Sequence, residues 1–230
     1  MLKKLSFIII LFLAALQCGK SAPTAIPMGS WNYRLLMNGV AIGKATISNE
    51  LKNGIYTSGM EMTMEMGRIK NTARQVTVET DSFQPIKLEI LNTVVNGSDV
   101  QKMHTTALFS GKNVTVNTDG MESTVTIEKP FILDGNFFMS QLLKEKFKPG
   151  ARVSAYLYDP TFELEEPVRV IARVMGSENI SIDGKTISVI HIVQAIENFK
   201  NIDIYIDESG VTQKAVIVML NNKIELLKEQ

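Results

Sequence analysis

The chain has 230 residues, with 24 Lys and Arg against 24 Asp and Glu, and 45% of it is hydrophobic. That length supports one large β domain or two small ones with a substantial core. Charge is balanced and no block of like charge stands out, which argues against a nucleic-acid partner, whose phosphates demand a concentrated basic face. With Cys18 as its one cysteine, the chain has no internal disulfide to staple the fold.

The N-terminus reads as an export signal. Lys3 and Lys4 form a positive start, Leu5 to Leu16 is apolar apart from Ser6, and Gln17-Cys18-Gly19-Lys20-Ser21 follows. The apolar run is shorter than the roughly 20 residues of a spanning helix. A lone cysteine at the end of such a leader resembles the lipidated cysteine of bacterial lipoproteins, so Cys18 is the expected lipidation site. The match is imperfect. Ala15, Leu16 and Gln17 stand where the lipoprotein pattern has Leu, a small residue, and Gly or Ala. A secretory signal cut nearby and an uncleaved anchor stay open as alternatives. By resemblance to lipoprotein sorting, Gly19 in place of Asp favours the outer membrane. The expected partner is therefore a membrane, reached through the N-terminal lipid, in the cell envelope. Residues 1–18 form the signal, 19–30 a proline-containing tether, and 31–230 a single β-rich domain.

From Trp31 the pattern is strand. Turn signals recur every 14 or 15 residues at Asn38-Gly39, Asn53-Gly54, Gly67, Asp81-Ser82, Asn96-Gly97 and Ser110-Gly111. Asn-Gly accepts the positive φ that tight hairpins need. The strands between are thus about 11–12 residues, close to 40 Å at roughly 3.3 Å per residue. Long strands joined by tight turns predict an antiparallel meander that coils into a concave face.

The third strand alternates most clearly. Met60, Met62, Met64 and Met66 share one face, with Glu61, Thr63 and Glu65 on the other. Val76 and Val78, then Ile86, Leu88 and Ile90, are expected to continue the buried face. Shorter strands surround Asp119-Gly120. Asp134 is expected to cap a helix running to about Phe147, with Phe138, Leu142 and Phe147 on one stripe and Pro149-Gly150 as its stop. Strands are then expected near 152–158, 167–177, 179–182, 185–197, 200–207 and 211–220, with tight turns at Asp183-Gly184 and Ser209-Gly210. Leu220 to Gln230 is a last strand or a short helix.

Several segments together resemble an exported bacterial β domain. They are Tyr33 with Met37-Asn38-Gly39-Val40-Ala41-Ile42-Gly43, Tyr158-Asp159-Pro160, Gly176-Ser177-Glu178 with Ile182-Asp183-Gly184-Lys185, and Tyr205-Ile206-Asp207-Glu208-Ser209-Gly210. That domain occurs alone in lipoproteins and sometimes precedes a transglutaminase-like catalytic domain. The catalytic part would need a Cys-His-Asp set, and the one cysteine here lies in the leader. The resemblance therefore implies a fold and a compartment, not a reaction.

No catalytic constellation is visible. The two histidines, His104 and His191, lie far apart. His191 sits between Val189 and Val193 on a strand, the setting of a half-buried structural histidine. No Gly-x-Ser-x-Gly, His-x-His or His-Glu-x-x-His occurs. Asp203 to Gly210 misses the ligand spacing of a calcium loop because Tyr205 takes a ligand place. Glu163, Glu165 and Glu166 read as an exposed loop. No enzyme, metal or cofactor is expected.

The expected fold is all-β: a strongly curved antiparallel meander, a half-open barrel or a two-layer sandwich, with one short helix. Methionine suits surfaces that accept varied apolar shapes. Met60, Met62, Met64 and Met66 are the candidate face for an apolar ligand such as a lipid. The other reading of that stripe is ordinary core beneath the helix or an opposite sheet. Two functions follow: an envelope lipoprotein that holds an apolar ligand, or one that serves as a scaffold for a protein or cell-wall partner.

Overall fold

A computed structural model describes residues 25–161, 165–197, 201–219 and 222–229. Cys18 and its leader lie outside the described residues, as do Glu163 and Leu220. Eight strands come first: β1 (Gly29–Met37), β2 (Val40–Lys52), β3 (Ile55–Met66), β4 (Ile69–Thr80), β5 (Pro85–Asn96), β6 (Asp99–Ser110), β7 (Asn113–Thr118) and β8 (Met121–Thr126). Helix α1 (Asn136–Lys144) follows. Six more strands complete the described chain: β9 (Arg152–Leu157), β10 (Val168–Ile182), β11 (Lys185–Ile196), β12 (Asn201–Ile206), β13 (Thr212–Met219) and β14 (Asn222–Lys228).

All 14 strands belong to one sheet, in the order β8-β7-β6-β5-β4-β3-β2-β1-β14-β13-β12-β11-β10-β9. Each half is a meander, and the first and last strands pair antiparallel at the centre, Leu35 opposite Leu226. β8 and β9 are left as the two edges, so the sheet curves without closing. The fold is the expected half-open barrel, and the sandwich alternative gives way to a single sheet.

Turn chemistry sets the register. Asn38-Gly39, Asn53-Gly54, Asp119-Gly120 and Asp183-Gly184 all have positive φ at both residues, the tight-hairpin conformation. Elsewhere the positive φ falls on Gly67, Gly97 and Gly111, with the following residue completing the turn. The Ser209-Gly210 turn is wider than expected. Five residues separate Ile206 from Thr212, and Asp207 organises them by accepting from the backbone amides of Ser209 (2.8 Å) and Val211 (3.1 Å).

Four other boundaries move. β1 begins at Gly29, and Ile26 is buried, so the packed chain reaches into the stretch expected to be tether. The two strands expected at 167–177 and 179–182 are the single strand β10, bent by a bulge between Val174 and Gly176. The last segment is strand, because β14 pairs with both β1 and β13. The helix is shorter than expected. Asp134 accepts from the Asn136 amide (2.7 Å) and leaves Gly135 as the N-cap. At the other end Lys146 and Phe147 turn to positive φ.

Among the described residues apolar side chains gather in three clusters. Phe138 and Leu142 of the helix, with Phe147 just after it, pack against Val170, Ala172 and Ile192 of β10–β11. Leu88, Ile90, Ala107 and Val114 of β5–β7 enclose Ile127, Leu133 and Tyr158. Tyr33, Leu35 and Ala45 form the third, with Met62 and Met64 against them. The second cluster draws the two halves together. The segment before the helix bonds to the β6–β7 turn through Ile127 (2.8 Å to Lys112) and to β9 through Ile132 (2.9 Å to Tyr156). Phe131 there contacts both Phe109 and Tyr158, at ring centroid distances of 5.6 and 5.0 Å.

Candidate functional site

The three clusters do not meet. Between them lies a cavity of about 410 Å³, bordered by Trp31, Tyr33, Ile47 and Met60 on the N-terminal half and by Ile192 and Ile204 on the C-terminal half. Phe138, Met139 and Leu142 of the helix form a further wall. The helix packs onto β9–β12 and leaves this space against β1–β4.

One part of the wall is polar, and it is built where the helix meets the sheet. The Asn136 side-chain amide donates to Ser58 Oγ (2.6 Å), Asn49 Oδ1 (3.2 Å) and Asp134 Oδ2 (3.3 Å). Thr77 Oγ1 donates to Asp134 Oδ2 at 3.0 Å. Asn49 also donates to the Pro27 carbonyl at 3.2 Å, which ties the incoming chain to the same network. Behind the network, Glu79 is 1% exposed and accepts from the Leu133 amide at 2.9 Å. Burial and then the Asp134 carboxylate push Glu79 up to about 8, against the lowering effect of that one amide. Glu79 is therefore mostly a neutral acid at pH 7. Burial and then Asp207 push the Tyr33 phenol up to about 12, so it borders the cavity uncharged.

The methionine stripe is divided. Met60, Met62 and Met64 face inward as expected, opposite Ile47, Ala45 and Gly43. Only Met60 borders the cavity. Met62 and Met64 are packed against the Tyr33–Leu35–Ala45 cluster, and Met66 is 43% exposed at the strand end. The expected four-residue ligand face thus reduces to Met60, because the β1 aromatic and aliphatic side chains fill the concavity beside the others.

In β4 the expected faces are exchanged. Gln75 pairs with Met60, and Thr77 and Glu79 follow it inward, whereas Val76 and Val78 lie on the outer face. The valines there sit directly across from Glu89 and Lys87 and are half-buried. In β5 Leu88 and Ile90 are buried, but a bulge opposite Val78 and Glu79 leaves Ile86 at 37% exposure.

The histidines stay apart from the cavity. His104 Nε2 lies 3.3 Å from Glu89 on the exposed outer face. His191 stacks on Tyr205 at 4.6 Å, with Nε2 2.7 Å from Asp203 and Nδ1 3.1 Å from Glu178. Among the described residues no group of three His, Cys, Asp or Glu is placed to hold a metal ion.

No family model matches the chain, and no curated protein matches it. Among solved structures it is similar to the β-barrel-like protein of domain of unknown function DUF1849 from Brucella abortus, with a TM-score of 0.65 and 11% identity over 90% of this chain and 98% of that one. The fold is β-barrel-like. At that identity the likeness concerns architecture alone. A DUF1089 family protein from Pseudomonas aeruginosa aligns over 82% of this chain and 90% of its own, at 13% identity and a TM-score of 0.35, too low to carry an argument.

Proposed function

We propose that this chain is a non-catalytic cell-envelope lipoprotein, anchored through Cys18 at the outer membrane, whose barrel-like domain holds an apolar ligand in the cavity between helix and sheet. The supporting observation is the cavity itself. Its volume of about 410 Å³ falls within the range of small-molecule sites, roughly 300–1,000 Å³. Its apolar walls with one polar region suit a chain-bearing molecule with a hydrogen-bonding head. A scaffold whose interior is simply core has no use for that unfilled space, since interiors otherwise pack closely.

Trp31, the only tryptophan, borders the cavity and reports on it directly. A brominated long-chain alcohol, titrated below its aggregation concentration, is expected to quench Trp31 fluorescence saturably. Met60→Glu, which places a charge on the apolar wall, should abolish the quenching while circular dichroism stays that of a β protein. Unquenched Trp31 in the unaltered chain would contradict the proposal.

A further inference from the structure

The cavity lining is unbalanced in charge. Among the described residues Asp134 is the one carboxylate on it, and no Lys, Arg or His borders it. Among the described residues every hydrogen bond to that carboxylate comes from a neutral donor: the Thr77 hydroxyl, the Asn136 backbone amide and the Asn136 side-chain amide. The Asn136 amide opens the helix, so its bond to Asp134 already occupies the positive helix end that would otherwise favour an incoming anion. Two further groups face the space without protein partners. Gln75 on β4 and Gln194 on β11 both line the cavity, and neither side chain hydrogen-bonds within the described residues. Trp31, Tyr33 and Phe138 add aromatic rings, whose faces attract cations.

We infer that the cavity selects an amphiphile with a cationic amine head, its hydrocarbon chain on the apolar walls and its ammonium group at Asp134. This rests on the cavity being a ligand site. An ammonium gains a counter-charge at Asp134 and acceptors in the Gln75 and Gln194 carbonyl oxygens. A carboxylate head would instead be desolvated beside a like charge with no cation to receive it.

The test uses the Trp31 readout with a brominated long-chain primary amine and the carboxylic acid of equal length, at pH 7 and below aggregation. The amine is expected to bind about tenfold tighter or more, a tenfold ratio being 1.4 kcal/mol. Asp134→Asn keeps an acceptor for the Asn136 amide and should bring the ratio close to one. Gln75→Lys changes a residue without a protein partner and should turn the preference toward the acid. Equal or tighter binding of the acid to the unaltered chain would overturn the inference, as would an amine preference that survives Asp134→Asn. Binding of the brominated alcohol without any preference for the amine defeats this inference alone. Failure of all three probes defeats the ligand site itself.

Discussion

Glu79 is the most constrained ionisable residue beside the site. Its ordinary value of 4.5 is raised to about 8 by burial and by Asp134. Between those two values the folded chain holds a proton that the unfolded chain has released. Stability is therefore expected to fall as pH rises from about 4.5 to about 8, with a slope of at most about 1.4 kcal/mol per pH unit from this group. Glu79→Gln keeps an acceptor for the Leu133 amide and loses the titration. Urea unfolding at a series of pH values should show a flatter profile for the variant, and an unchanged slope would place the titrating group elsewhere. None of this was legible in the sequence. Gln75, Thr77 and Glu79 alternate like a solvated face, and Val76 and Val78 like a buried one. The structure reverses that expectation, because Asp134 and the Leu133 amide, far away in sequence, supply the partners that let Thr77 and Glu79 turn inward.

The strands themselves were readable because their signals are local. Asn-Gly and Asp-Gly pairs set hairpin turns by backbone sterics alone, and the 12-residue lengths of β3 to β6 follow from their spacing. Bulges were not readable, since each depends on what the neighbouring strand presents. The irregularity in the β1–β2 pairing falls where Leu35 faces Gly43 and Leu36 faces Ala41. A Cβ added at Gly43 would lie 2.0 Å from the Thr63 carbonyl oxygen and 2.9 Å from the Met64 Cα. Both obstacles are backbone and cannot rotate away. Gly43→Ala is thus expected to destabilise by at least about 1–3 kcal/mol, read from the urea midpoint. A change within about 0.5 kcal/mol, ordinary for an open surface site, would show that β2 and β3 are further apart.

At the scale of the molecule, the fourteen described strands stay in one sheet whose edge strands, β8 and β9, do not pair with each other. The segment before the helix takes the place of edge-to-edge hydrogen bonds, with Phe131 between Phe109 of β6 and Tyr158 beyond β9. Phe131→Ala should cost about 3 kcal/mol and raise amide exchange first in β8 and β9. Uniform exchange across both halves would mean that the seam does not hold the edges together. The helix bridges the same halves. Asn136 bonds to β2 and β3, and Phe138 and Leu142 pack on β10 and β11. Sequence periodicity identified the buried helix stripe but not the space left beside it, because a cavity is a property of three clusters that fail to meet. Ligand binding depends on that space. Its most direct test is a native mass spectrum of the full chain purified from a bacterial envelope. The expected result is an added mass that is lost on denaturation, distinct from any lipid held covalently at Cys18, and absent in Met60→Glu. A bare mass that takes up neither envelope lipid nor added amphiphile would contradict it.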